Sequence, residues 1–162
     1  MTRTLNIPAQ IQSFWAAFAV QAGAEVNARF YDAFYFGDNA EVADSLGNLV
    51  LAGTKRATAG LVWAFEADAT HPPKPGDLSV VTNWSGTPLC VIETTRVDIV
   101  PFNEVSAEFA ATEGEGDGSL EYWRKAHEEY FARECARIGR AAVESMPVVC
   151  ERFSVLFAQD AS

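Results

Sequence analysis

Cysteine, histidine and positive charge are all scarce in this chain. The three cysteines, at 90, 135 and 150, are odd in number and show no C-x-x-C spacing. That pattern argues against a disulfide framework and against a zinc module. The two histidines, His71 and His127, lie far apart with no i, i+4 partner, which argues against a histidine-based metal site. Against 12 basic residues stand 22 acidic ones, for a net charge of −10, and no third of the chain is net positive. A protein that holds long nucleic acid through its phosphates draws much of its affinity from displaced counterions and needs a cationic surface. The balance here favours a small ligand or a short single-stranded RNA over a long duplex. No apolar run approaches the roughly 20 residues of a membrane span. The small-residue stretch "AVQAGA" superficially suits a signal-peptide cleavage site, but only Arg3 precedes it, and Gln12 and Gln21 interrupt the apolar run. The expectation is a cytoplasmic protein without membrane contact.

The 162 residues suit one domain, with about half of them apolar and a fifth charged. No repeats or low-complexity tracts appear. Ile7, Ile11, Phe14, Trp15 and Phe18 recur at helical spacing, which predicts an amphipathic helix over 8–22, with Asn6 as cap and Pro8 in the first turn. A second helix is expected through "NARFYDAFYFG" and a third through "NAEVADSLGNLVLAG". Val42, Leu46, Leu49 and Val50 form one face of the third, and Gly53 suits its stop. A short helix is expected in "AGLVWAFEAD" and a rigid turn in "HPPKPGD".

The period then changes. "DLSVVTN" and "TPLCVIETTRVDIVPF" are rich in β-branched residues and are separated by a turn. A regular strand over 89–99 places Leu89, Val91, Glu93, Thr95, Val97 and Ile99 on one face. Glu93 there calls for a purpose: a second catalytic carboxylate, a bulge that turns it outward, or pairing with Arg96 or Arg152. A helix in "NEVSAEFAAT", the acidic loop "EGEGDG", a long helix through "SLEYWRKAHEEYFARECARIG" and a strand in "PVVCERFSVLF" complete the chain. Helices first, then strands divided by a late helix, indicate α+β with a small, mostly antiparallel sheet or barrel.

The ordered set "LAGTKRATAG", "KPGDLSVVTNWSGTPLCVIETTRVDIVPF", "EFAATEGEGDGSLEYWRKAHEEYF" and "CERFSVLF" resembles the ASCH domain family over residues 45–157. G-x-K-x-x-T alone is a weak signal; followed by P-x-G-D, a strand pair, E-G-E-G-D and W-x-x-x-H it is specific. The start, 1–44, resembles the helical extension of a longer bacterial subgroup within a single domain. The resemblance implies a small, mostly antiparallel PUA-like β-barrel with packed helices around a cleft. It also implies two functions. Similar small bacterial members are amidohydrolases that remove acetyl from N4-acetylcytidine, using a lysine, a threonine three residues later and a downstream glutamate. Other members are RNA-binding modules or ribonucleases. Carried onto this chain, the triad is Lys55, Thr58 and Glu113, and the inserted loop offers Glu115 and Asp117 to the same site.

Amide cleavage needs a nucleophile, a proton carrier and a group that stabilises the oxyanion. Thr58 supplies a hydroxyl that is inert without a base. Lys55 serves as that base if desolvation or a neighbouring cation, with Arg56 adjacent, keeps it neutral. Direct attack by Lys55 is less plausible, because it would leave an amide as hard to cleave as the substrate. Glu113 either protonates the departing amine or positions the base. Trp63 or Trp84 stacks on the pyrimidine. Plainer roles stand beside each of these. Thr58 caps a helix starting at Ala59, Lys55 sits at a helix C-terminus, and Asp117 or Ser119 caps the long helix. His127, on a face with Leu120, Trp123, Phe131 and Ile138, reads as a hydrogen-bonded core histidine. Carboxylates in "EGEGDG" suit magnesium or manganese, although a mobile acidic turn is the simpler account. The expectation is no metal and no cofactor, with a nucleoside or short single-stranded RNA as partner and a homodimer through the helical extension.

Overall fold

The structure, a computed structural model, describes residues 7–158. Asn6, expected to cap the first helix, lies outside them. A 3-10 turn at Ala9–Ile11 leads into α1 (Gln12–Ala22); the turn buries Ile11 and the helix Phe14, Trp15 and Phe18, as their spacing predicts. The chain then departs from expectation. "NARFYDAFYFG" is not helical: a 3-10 segment, Ala24–Arg29, runs into strand β1 (Phe30–Phe34). Aromatic side chains lose rotamer freedom in a helix and suit a pleated surface. Here the Phe30 ring meets Trp15 edge-on at 5.0 Å, and Trp15 Nε1 donates to Asn27 Oδ1 at 2.7 Å. The N-terminal extension therefore adds an edge strand to the sheet.

Helix α2 (Ala40–Ala52) is capped by the Asn39 side chain and stopped by Gly53, at φ 87. Of the expected face Val50 is buried and Leu46 and Leu49 are half-buried, while Val42 is exposed and the small Ala43 and Gly47 are buried in its place. β2 (Ala57–Leu61) comes next, so Thr58 lies in a strand and caps no helix; α3 (Val62–Ala67) begins after it. β3 (Leu78–Thr82) and β4 (Pro88–Pro101) form an antiparallel pair. A 3-10 turn at Phe102–Glu104, α4 (Ala107–Glu113), α5 (Leu120–Ile138) and β5 (Pro147–Ala158) follow.

The sheet order is β1-β3-β4-β5-β2, with β1–β3 parallel and the other pairs antiparallel. Simple alternation fails in β4. Register shifts at Val91/Ile92 and Thr94/Arg96 rotate the strand, and Cys90, Val91 and Ile92 are all buried. The reason is that this part of the sheet is covered on both faces. Leu78, Val80 and Val91 pack with α1, whereas Val81, Cys90 and Ile92 pack with Val50 of α2. The largest cluster joins Ala57 and Leu61 of β2 and Val148 and Cys150 of β5 to Phe109, Trp123 and Phe131. All three thiols are buried and unpaired. Glu93 is held by Arg29, which also donates to Gly76 O at 2.7 Å. Arg96 and Arg152 instead pair with Asp98 and Glu108, at 2.7 and 2.8 Å. No helix among the described residues is long and apolar enough to cross a membrane.

Candidate active site

The step from Lys55 to Thr58 crosses from one side of the sheet to the other. Where α2 ends, the Thr54 and Lys55 amides both donate to Leu49 O, at 3.0 and 3.1 Å. The Arg56 guanidinium donates to Val50 O and Lys55 O, each at 2.9 Å. Arg56 therefore caps the C-terminus of α2, where a cation is favoured. Its amide donates to Thr112 O at 2.9 Å, which ties this segment to the end of α4. Gly114 permits that approach. It sits at φ +67, and a Cβ there would lie 2.2 Å from Thr54 O.

Lys55 and Ala57 point toward α4 and α5. Lys55 is 1% exposed, and its ammonium donates to Ala57 O at 2.7 Å and to Glu113 Oε2 and Glu115 Oε2, each at 3.1 Å. All three N–H donors are used. The other Glu113 oxygen accepts from Trp123 Nε1 at 3.1 Å and faces His127 Nε2 at 3.5 Å. His127 stacks on Trp123 at 4.2 Å, and its Nδ1 lies 2.9 Å from Trp123 O. A carbonyl only accepts, so Nδ1 carries a proton, leaving Nε2 to face the carboxylates.

This network fixes the charges. Burial pulls the Lys55 amine down, but Glu113 and Glu115 more than reverse that, leaving its pKa above the ordinary lysine value. Burial pushes Glu113 up, yet Lys55 and His127 hold it well below the usual carboxylate range. Glu115 is pushed up to about 7, first by burial and then by the hydrogen bond it shares with Glu113. Burial disfavours the His127 cation, and Glu113 outweighs it, so the imidazole pKa is raised. In this arrangement the lysine expected as a neutral base is an ammonium, and Glu113, expected either to protonate the departing amine or to position the base, is the anion that holds it. The oxygens of Glu113 and Glu115 and a His127 nitrogen lie within 4.8 Å of one another, a spacing a cation could use. Lys55 already supplies positive charge there.

Thr58 faces elsewhere. β1 and β2 end the strand order, and no ladder joins them among the described residues. Between them opens a cavity of about 730 Å³, walled by Tyr31, Phe34 and Tyr35 on one side and Thr58, Ala59 and Gly60 on the other. Ser79, Asp77, Val149 and Glu151 also line it, with Phe65 near α3. Thr58 lies directly opposite Glu151 in the β2–β5 register. Opposed residues of an antiparallel pair project to the same face. Glu151 is buried and accepts from the Thr94 hydroxyl at 2.6 Å. Burial raises its pKa, against the Thr94 hydrogen bond. No hydrogen bond engages the Thr58 hydroxyl among the described residues.

The remaining expected residues scatter. Trp63 packs on the large core cluster beneath the Arg140 guanidinium, 4.4 Å above its ring. Trp84 is exposed, packs on Tyr35 at 4.7 Å and lines a smaller cavity of about 420 Å³. Neither tryptophan lines the large cavity; Tyr31, Phe34, Tyr35 and Phe65 provide its aromatic wall. Asp117 accepts the Ser119 amide at 2.9 Å, and Ser119 caps α5 through the Tyr122 amide. The loop thus sends Glu115 into the buried cluster and Asp117 to the surface. Sequence reading missed Glu151, β1 as a wall, and His127 as a member of the charged cluster. A signal for Glu151 was present, since in "VVCERF" it shares strand parity with the apolar Val149 and Phe153.

The sequence matches the profile of the ASCH domain over residues 32–157. A crystal structure of an ASCH domain from Lactobacillus crispatus is similar at 35% identity and TM-score 0.87, covering 96% of this chain and 99% of that one. A crystal structure of a protein from Enterococcus faecalis is similar at 31% identity and TM-score 0.83, with coverage of 92% and 89%. A hypothetical protein of 15% identity and TM-score 0.51 shares the fold alone, over 78% of this chain. No curated protein matches the chain. With most of its length matched by the profile, and with two structural relatives above 30% identity, the chain belongs to the ASCH domain family.

Proposed function

We propose that the protein is an amidohydrolase that removes an acyl group from N4-acetylcytidine or a related acylated nucleoside held in the β1–β2 cavity. The observation that carries this reading is the Thr58 hydroxyl, unengaged among the described residues, on the wall of a cavity of about 730 Å³. That volume falls within the usual range for small-molecule sites, roughly 300–1,000 Å³. The aromatic wall suits a pyrimidine, and Thr58 is the group that attacks the acyl carbon. The motif order that resembles N4-acetylcytidine amidohydrolases adds support.

The charges around the cavity favour a neutral nucleoside over an RNA strand. Asp32, Asp68, Asp77, Glu134 and Glu151 all line it. The cations nearby are already taken: Lys74 by Asp77 at 3.1 Å, and Arg137 by Asp68 at 2.9 Å and Glu134 at 2.7 Å. A phosphate entering such a rim meets Asp32 and Glu151, which have no ion-pair partner among the described residues, and cations already committed to other carboxylates, the opposite of what backbone recognition requires. A metal-dependent ribonuclease centred on Glu115 and Asp117 is less well supported, because those two side chains diverge.

The test is incubation of purified protein with N4-acetylcytidine, following cytidine release by chromatography, with Thr58→Val alongside. The expected result is release by the wild type and none by the variant. Equal rates for the two, or no release by either, would overturn the proposal for this substrate.

A further inference from the structure

We infer that Glu151 is the proton carrier of Thr58. The inference rests on Thr58 acting as nucleophile, and it assigns the base role to a residue outside the G-x-K-x-x-T motif. Three observations converge on it. Thr58 and Glu151 are directly opposed in the β2–β5 ladder, a relation that places Cβ atoms about 5 Å apart. Both line the same cavity. Glu151 is 7% exposed and has no cation in contact among the described residues. Its one described hydrogen bond, from Thr94, engages Oε2 and leaves Oε1 for another partner. By contrast, every donor of Lys55 is committed on the far side of β2.

The chemistry balances with water as co-reactant. The Glu151 carboxylate takes the Thr58 proton as Oγ bonds to the acyl carbon and the carbonyl electron pair moves onto oxygen. Collapse breaks the C–N bond, and Glu151 passes its proton to the departing nitrogen. A water molecule then gives a proton to Glu151 while its oxygen attacks the threonyl ester. Release of the carboxylic acid breaks the C–Oγ bond and returns the proton to Thr58. One amide and one water become one amine and one acid. Around Glu151 stand the Thr94 hydroxyl of β4, which donates to it, and the titratable groups Asp77 before β3, Lys55 before β2 and Tyr31 of β1. Burial is the largest influence among them and leaves Glu151 more basic than an ordinary glutamate. That suits a base required to accept a hydroxyl proton.

The experiment uses p-nitrophenyl acetate, whose leaving group needs no proton, so that its release depends on Glu151 as a base and not as an acid. The Thr58-dependent rate is the wild-type release of p-nitrophenolate minus that of Thr58→Val. We expect Glu151→Gln to lower this rate by about 100-fold or more, and Glu151→Asp to retain part of it. The wild-type rate should rise with pH through an inflection above the ordinary glutamate range. Urea midpoints establish that the variants are folded, and the wild-type pH profile stands even if Glu151→Gln is not. A Thr58-dependent rate preserved in Glu151→Gln, or flat across that pH range, overturns the inference, as does a wild type with no Thr58-dependent rate. Turnover of N4-acetylcytidine is scored separately. Ester cleavage that needs both residues without cytidine release would sustain the pair and remove the proposed substrate.

Discussion

Two faces of β2 carry the polar chemistry of this protein, and they are built on opposite plans. On the helical side, Lys55, Glu113, Glu115 and His127 form a buried network in which Lys55 has no donor left to give. On the cavity side, Thr58 and Glu151 stand in an open hollow with hydrogen-bonding capacity to spare. A saturated network holds structure in place, because any change leaves a buried charge without a partner. An unsaturated pair is available to a ligand.

The largest effect that would sharpen this contrast comes from Lys55→Met. Removing the ammonium leaves Glu113 and Glu115 facing each other in the interior, at a cost of about 3–5 kcal/mol. Urea unfolding measures it, and a loss below about 1 kcal/mol would break the picture of a structural ion cluster. Trp123→Phe deprives one Glu113 oxygen of its donor while keeping an aromatic ring, and should cost about 1–3 kcal/mol by the same assay.

Proton linkage gives a smaller, signed effect. Glu115, at about 7 when folded, and His127, raised above its ordinary value, both hold protons in the native state that the unfolded chain has released. Wherever the native state binds more protons, stability falls as pH rises. The stability from His127 is present below its unfolded value and lost as pH climbs through the folded one, and for Glu115 the loss develops between about 4.5 and 7. Urea midpoints should therefore decline from pH 5 to 8, and Glu115→Gln should flatten the decline. A wild-type midpoint that rises over this range would contradict the assigned charges.

Thr58→Val belongs at the quiet end for stability, within about 0.5 kcal/mol of wild type, even as cytidine release disappears. A large stability loss there would mean that Thr58 has a structural partner after all. Smallest of all is Asp117→Ala, which removes an exposed bond to the Ser119 amide and should lower the unfolding free energy from urea titration by no more than about a few tenths of a kcal/mol.

Much of the fold was legible in local patterns. The apolar spacing of α1, the Asn39 and Gly53 boundaries of α2, the start of α5 at one of Asp117 and Ser119, and the β-branched runs of β3 and β4 all depend on neighbours a few residues away. β1 was not legible, since "FYDAF" becomes a strand only because β3 offers a parallel edge and Trp15 a surface to pack on. The alternation expected in β4 failed for a related reason, as two bulges and helices on both faces override a two-residue period. Trp63 and Trp84 looked like stacking residues because aromatic rings bind bases, yet burial against α5 and exposure beside a different cavity placed them elsewhere.

The sequence by itself determined the family, the boundaries of α2 and the spacing of a lysine and a threonine three residues on. It could not determine which side of the sheet each would face, because that depends on where α2 stops and β2 begins to pleat. Nor could it bring together Lys55 with Glu113 and Glu115, or Thr58 with Glu151, since these partners lie far along the chain and meet only through sheet register and helix packing. Those meetings set the protonation states. The same carboxyl group is an anion beside an ammonium and a weaker acid in a pocket without one, so only the tertiary structure decided which residues are free to act.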